Sequence, residues 1–490
     1  MKKYYLIIIL TVMPFANVLN AQSNEDENSI KNRLNSYLSK GVNNGLLGAV
    51  LVVKEGEIIL SKGYGLANKE KKIPNTTTTV FDIGSVTKQF TATAILKLVQ
   101  LNKLNINDPL SKFFHNLPDD KKSITIHQLL THSAGLIDVI GEGDFDHIPT
   151  EPFFRELFAT KLIYTPGTKY RYSNSGYSIL ARIIELVSRK EYEVFLNEYL
   201  FEPAGMYETG YLLPKWKNNV FAEGYQYNVL NVGSTANRYQ KEGEIPWILK
   251  GNGGINSTIE DMFKWYKALK ENKVLPKSLT EQLTTPYIAE DEEESSYYAY
   301  GWAITNSARN TKIISHNGSN GIFFFDFIWS LDEDLAILFV TNAFSRPIGG
   351  VAWILEKMLF DQSYNPKEIK KDLTTSLFKY VEDYQGIVEE LASNIKEKFN
   401  KDLNHPLYLN RLGGIYLRMQ KIDKAIVFFK MNIELFPDDG NTWDNLGEAY
   451  LKNNQLELAK NSFKKALELK PENDCYWCQN SSERLKQLKH

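Results

Sequence analysis

A serine and a lysine three positions apart, Ser85 and Lys88, lie in the stretch Phe81-Asp82-Ile83-Gly84-Ser85-Val86-Thr87-Lys88-Gln89-Phe90. On a helix this spacing puts both side chains on one face, about 5–6 Å apart at Cβ. A serine hydroxyl is a weak nucleophile until a neighbouring group takes its proton. A lysine one turn along can take it, or can tune the group that does. A strongly helical run, Gln89 to Leu101, follows. Ser85 is therefore predicted at a helix N-terminus, where free N–H groups and the dipole favour developing negative charge. The spacing alone is weak, because it recurs at Ser376/Lys379, Ser393/Lys396 and Ser462/Lys465. Those three fall in a helix-rich C-terminal region, where surface serines and lysines are ordinary.

The elements that must position these residues can be read along the chain. At 490 residues the chain has room for two or three domains, and its 43% hydrophobic content supplies a full core. A net charge of −2, from 57 basic and 59 acidic residues, points to neither nucleic acid nor an anionic membrane as partner. Lys2-Lys3, an apolar run from Tyr4 to about Val18 and a small-residue site at Asn20-Ala21-Gln22 read as a secretory signal peptide over 1–21. A periplasmic or secreted location follows, with no membrane span after cleavage. Residues 22–29 are expected to fray, with an amphipathic helix over Ile30 to Leu38. Leu47 to Val53 and Ile58 to Tyr64 read as a hairpin. Helices are expected over 89–102, 124–135 (ending in a glycine-containing turn), 176–189, 258–270 (capped by Ser257) and 350–360. Strand-like runs close the region: Tyr300 to Thr305, Thr311 to Ser315 leading into His316-Asn317-Gly318-Ser319, Ile322 to Ser330, and Leu335 to Thr341. Strands at both ends with helices between predict an α+β fold, in which the two ends build one antiparallel sheet flanked by helices and a helical subdomain.

Residues 362–400 read as a linker and a connecting helix; a repeat follows. Trp443, Leu446, Gly447, Tyr450, Ala459, Phe463, Ala466 and Pro471 fit the tetratricopeptide pattern. One period of about 34 residues earlier stand Leu412, Gly413, Tyr416, Ala425, Phe429 and Pro437, with Leu409 in place of Trp443 and Asn432 in place of Ala466. Two repeats, about 405–438 and 440–473, with a capping helix at the C-terminus, make 401–490 an all-α domain. Its two readings are a groove for a protein or peptide partner and a brace on the first domain. The two cysteines, Cys475 and Cys478, lack the βαβ context of a redox motif and read as structural.

Three elements stand in order: Ser85-x-x-Lys88, Tyr172-Ser173-Asn174 and His316-x-Gly318. With them come Leu129-Leu130-Thr131-His132-Ser133-Ala134-Gly135-Leu136, Pro166-Gly167, and Gly253-Gly254 before a helix. On these residues the segment from about Leu47 to Phe360 resembles the class C β-lactamase-like serine hydrolases, which include penicillin-binding proteins, D-aminopeptidases and esterases. The hydrolase domain is taken as 22–361. The resemblance implies that Ser85 attacks a carbonyl carbon and forms an acyl-enzyme. Tyr172, with an ordinary pKa near roughly 10, is expected to be pulled down by Lys88. Whether Tyr172 or Lys88 is the base stays open, since such a group titrates as a unit. Asn174 would hold Lys88 or the substrate amide, and the backbone N–H groups of Ser85 and Ser319 would form the oxyanion hole. Asn174, His316, Gly318 and Ser319 are the expected substrate-binding residues. No metal or cofactor is implied.

The family's lactamase branch typically has Lys-Thr-Gly where this chain has His316-Asn317-Gly318, and a mostly neutral histidine would attract a substrate carboxylate less. A secreted hydrolase of esters, amides or D-amino-acid peptides is the reading that follows. The alternatives are a β-lactamase or penicillin-binding DD-peptidase, and a non-catalytic adaptor that uses its repeats. His132 is expected to be structural. Glu290 to Glu294 read as a solvated loop, with a pocket rim that repels anions as the other reading.

Overall fold

The computed structural model of the chain describes residues 15–141, 143–386, 388–471 and 475–488. Most of the expected signal peptide, 1–14, lies outside the described residues. Helix α1, Phe15–Asn43, runs through the segment 22–29, which was expected to fray. The chain divides into two compact units: 1–226 with 231–370, and 227–230 with 371–490.

In the first unit an eight-stranded sheet is built from β1 (Gly48–Lys54), β2 (Glu57–Tyr64), β3 (Ile288–Ala289), β4 (Tyr297–Tyr298), β5 (Ala303–Asn306), β6 (Lys312–Ser319), β7 (Phe324–Ser330) and β8 (Leu335–Thr341). Their order is β2-β1-β8-β7-β6-β5-β4-β3. The first and last strands of the unit pair antiparallel, Gly48 opposite Thr341 and Val53 opposite Ala336. The chain ends thus close one sheet, as the strand pattern predicts.

The side-chain period of two sorts β1 onto two cores. Ala49, Leu51 and Val53 join the larger core, which includes residues of α2 (Thr87–Gln100), α3 (Ile126–Leu130), α4 (Asn174–Ser188) and α5 (Ile259–Lys270). Val50 and Val52 join a second core with Leu34 and Leu38 of α1 and Val351 and Leu355 of α6 (Val351–Phe360). Because both faces are covered, β1, β7 and β8 read as near-continuous apolar runs instead of alternating ones. Helix α5 is capped by Thr258, whose side chain accepts from the N–H of Asp261, and not by the expected Ser257. Either hydroxyl suits a cap, and only the backbone path chooses between them.

The second unit is helical. The single helix expected over 374–400 is two, α7 (Leu373–Asp383) and α8 (Val388–Phe399), with Gly386 in the break. Glycine is a poor residue for a helix interior. Two helix pairs follow, α9 (Leu407–Arg418) with α10 (Ile422–Leu435), and α11 (Gly440–Lys452) with α12 (Leu456–Glu468). The last helix is α13 (Tyr476–Gln487), and Cys475 is bonded to Cys478 at its start. The repeat glycines have a steric reason. A Cβ on Gly413 would lie 2.5 Å from the Phe429 ring, and one on Gly447 would lie 2.6 Å from the Phe463 ring. Both rings are fully buried. Gly447→Ala should therefore cost about 1–3 kcal/mol by overpacking, read as a lower chemical-denaturation midpoint with an unchanged m-value.

Candidate active site

Gly84–Val86 form a 3₁₀ turn that leads directly into α2. Ser85 stands at this helix start, as its spacing predicts, and Lys88 lies one turn on, fully buried. Three oxygens surround the lysine amine. Nζ lies 3.1 Å from Ser85 Oγ, 2.7 Å from Asn174 Oδ1 and 2.7 Å from the Asn252 carbonyl. Burial drives Lys88 well below the range of a solvated lysine, and Asp138 pulls the other way. A neutral amine has two N–H groups and one lone pair. Nζ is within donating distance of all three oxygens, and in the neutral form one of the three positions is taken by the lone pair.

Each partner is placed by a different element. Asn174 opens α4, whose N-cap is Ser173. Asn252 belongs to the glycine turn 251–254, where Gly251 and Gly254 have φ of +87° and +77°. That turn is pinned to α2 by Thr91 Oγ1, which donates to the Gly251 carbonyl, and to α4 by Asn252 Nδ2, which donates to Ser178 Oγ.

Tyr172 is buried beside this group. Lys88 Nζ lies 4.6 Å from the centre of its ring. The expected depression of its pKa by Lys88 is not found. Burial pushes the phenol above its ordinary value, Ser85 pulls it down in part, and Asp138 and Glu290 raise it further. The physical reason is that a buried phenolate needs a cation beside it, and the same burial favours the neutral amine of Lys88.

His132 is structural, in line with its expected role. Its Nδ1 accepts from the Ser173 N–H at 3.0 Å, and its ring lies 4.2 Å from the Tyr172 ring and 4.6 Å from the Tyr298 ring. His316 is also buried. Its Nδ1 lies 2.6 Å from the Asn317 carbonyl, and its Nε2 lies 3.1 Å from the Tyr298 hydroxyl. Burial, with Lys88 acting in the same direction, lowers its pKa to about 3, so it is neutral near pH 7. Both its ring nitrogens are engaged within the protein.

Gly318 and Ser319 lie against the nucleophile turn. A Cβ on Gly318 would lie 2.5 Å from Ser85 N and 2.1 Å from the Ile83 carbonyl. A Cβ on Gly84, whose φ is +52°, would lie 2.7 Å from Ser319 N. Two glycines thus let the backbones of β6 and the Ser85 turn meet. A cavity of about 70 Å³ opens here, with Ser85, Asn174, Ser319, Asp82 and Asp144 in its lining. A roomier cleft of about 590 Å³, lined by Phe114, Phe154 and Phe158, contains none of these residues. Ser85, and not size, singles out the smaller one.

Sequence reasoning passed over Asp82, Asp138 and Asn252. Asp82 accepts from Gly84 N, Thr235 Oγ1 and Asn320 Nδ2, and burial pushes it up to about 6. Its adjacency to the Ser85 turn was the available signal. Asp138 and Asn252 act through a carboxylate and a carbonyl that only tertiary contacts bring in. Of the acidic run 290–294, Glu290 acts on the site through its charge, which raises the pKa of Tyr170 and of Tyr172.

An antiparallel sheet closed by both ends of the unit, with a Ser-x-x-Lys helix wedged against one strand, defines the serine β-lactamase/DD-peptidase-like class of fold. The chain belongs to the Beta-lactamase family, which it matches over residues 34–357. Residues 440–473 match the tetratricopeptide repeat. It is 26% identical over 396 residues to penicillin-binding protein 4* of Bacillus subtilis, covering 76% of this chain and 85% of that protein. It is 30% identical over 305 residues to protein flp of Staphylococcus aureus, covering 61% of this chain but 59% of that longer protein. The octameric penicillin-binding protein homologue from Pyrococcus abyssi superposes with a TM-score of 0.58 at 26% identity, over 75% of this chain and 82% of that one.

If the Gly318–Ser85 approach is what admits an oxyanion, Gly318→Ala should lower turnover of an activated ester by about 100-fold or more. The check is steady-state kinetics on p-nitrophenyl acetate, with the melting temperature recorded beside it.

Proposed function

We propose that the protein is a secreted serine hydrolase that cleaves esters, amides or D-amino-acid peptides through an acyl-enzyme on Ser85. The observation that carries this reading is the contact of Lys88 Nζ with Ser85 Oγ at 3.1 Å, made by a buried amine already held by two other oxygens. In this reading Lys88 is the general base. It takes the hydroxyl proton as Ser85 Oγ bonds to the carbonyl carbon. The N–H groups of Ser85 and Ser319 hold the oxyanion. Tyr172 gives its phenol proton to the leaving group as the scissile bond breaks and takes one from the Lys88 ammonium, which restores the neutral phenol and the free amine. Water then attacks the acyl carbon as Lys88 takes its proton, and that proton passes to Ser85 Oγ as the acyl–oxygen bond breaks and the acid leaves. Lys2-Lys3 and the apolar run behind them support export.

The preference for substrates without a carboxylate rests on charge. His316 is neutral and enclosed. Asp82 and Asp144 line the cavity, and Asp138 and Glu290 act on Tyr172. A substrate carboxylate would meet like charge there. A second reading, a penicillin-binding DD-peptidase, is favoured by the likeness to penicillin-binding protein 4*. The tetratricopeptide match supports a protein or peptide partner for the C-terminal unit.

The test is to assay the protein and Ser85→Ala against p-nitrophenyl acetate, D-alanine p-nitroanilide and a chromogenic cephalosporin. Ester or D-alanyl amide turnover is expected to exceed cephalosporin turnover and to vanish in Ser85→Ala. Equal rates in both proteins would remove the hydrolase reading, and fast cephalosporin turnover would overturn the substrate preference. The pH profile carries a sign. The rate should rise with pH through the lowered Lys88 pKa, so its acid limb should lie below the usual lysine value of about 10.4.

A further inference from the structure

Asp138 lies in the loop after the Leu129–Leu136 stretch, and its carboxylate is turned to the start of α4. Its Oδ1 accepts from both the backbone N–H and the side-chain Nδ2 of Asn174, each at 3.0 Å. The segment is fastened on both sides. The Asp138 carbonyl accepts from Ser175 N at 2.8 Å and from Ser175 Oγ at 2.9 Å, and the Ile137 carbonyl accepts from Ser173 Oγ at 2.8 Å. A carboxylate at this place also sits against the positive end of α4, which favours it there.

The side-chain amide of an asparagine is nearly symmetric in shape, and its neighbours decide which end points where. Here one end faces Asp138 and the other faces Lys88 Nζ at 2.7 Å. A carboxylate offers only acceptors, so it takes the NH₂ end. The carbonyl end is thereby left for the amine. With the amide reversed, NH₂ would face the amine N–H groups and the oxygen would face the carboxylate, and both contacts would be lost. We propose that Asp138 is a positioning residue, which fixes the orientation of the Asn174 amide and so holds the Lys88 amine against Ser85. Asp138 works through Asn174, whose backbone N–H and side-chain amide its Oδ1 holds. The role rests on the hydrolase reading only for its effect on rate; the effect on geometry stands apart from it.

Two variants separate the parts of this role. Asp138→Ala removes the acceptor and the charge. Asp138→Asn keeps an acceptor oxygen and removes the charge. On p-nitrophenyl acetate, Asp138→Ala should lose about 10- to 100-fold in kcat with little change in KM, the range typical of a supporting contact behind a reactive group. Asp138→Asn should recover part of that loss. It should also move the acid limb of the pH profile to lower pH, because the carboxylate no longer offsets the desolvation of the Lys88 ammonium. A purely structural residue would lower the melting temperature and leave the acid limb in place, and that result would overturn the proposal. A crystal structure of Asp138→Ala gives a readout free of activity. The Asn174 Oδ1 to Lys88 Nζ contact should open beyond about 3.5 Å, and its survival at 2.7 Å would also overturn the proposal. Absence of hydrolysis in the unaltered protein would sink the functional reading and leave this structural outcome to be decided on its own.

Discussion

The burial of one amine organises the hydrolase unit. Lys88 has no side-chain access to water, and an ammonium taken out of water loses solvation that a few neutral oxygens replace only in part. Its Nζ is met by Ser85 from its own helix, Asn174 from the start of α4 and Asn252 from a glycine turn. Those three come from parts of the chain separated by 86 and 164 residues from the lysine in the latter two cases. Misplacement of any one would leave a buried donor unpaired, a cost of about 1–3 kcal/mol. The helical half of the unit is thus locked by the requirement to pair this amine.

The sheet contributes rigidity and a backbone surface. Strand β6 is paired with β7 along the end nearest Ser85, Gly318 opposite Phe325 and Ser319 opposite Phe324. Strand β5 meets β6 only at residues 312–315, so the far end of β6 is free to face the Ser85 turn. Two residues without Cβ, Gly84 and Gly318, make that approach sterically allowed. Behind the site, Tyr172, His132, Tyr298 and His316 pack ring against ring with centre separations of 4.2 to 6.3 Å. This aromatic cluster excludes water from Lys88, which is why the phenol, the imidazoles and the amine are all pushed toward their neutral forms.

Much of this arrangement was legible in residue types. The hairpin at one end and the strands at the other, the helix behind Ser85 and the tetratricopeptide pairs follow from periodicity and from small residues that must face large ones, as Gly413 faces Phe429 and Gly447 faces Phe463. Ser85, Lys88 and Asn174 could be named together because their order along the chain is specific. The boundaries and the electrostatics were less legible. A cap moved one residue, from Ser257 to Thr258, because both hydroxyls suit it. One long helical pattern became α7 and α8, because apolar spacing continues across Gly386 and only the backbone break ends it.

The sequence by itself determined which groups are available: a serine and a lysine on one helix face, a tyrosine and an asparagine two apart, and a histidine where a lysine is typical of the family's lactamase branch. It determined the two architectures as well, since strand alternation, helix period and repeat period are local properties. Only the tertiary structure decided how those groups are charged. Tyr172 was expected to be drawn down by a cation and is instead raised, because desolvation acts on Tyr172 and Lys88 alike and favours the neutral form of each. It also decided who holds the amine in place. Asp138 and the Asn252 carbonyl carry no motif, and a carboxylate or a carbonyl becomes a partner through where the folded backbone leaves it, which no spacing along the chain records.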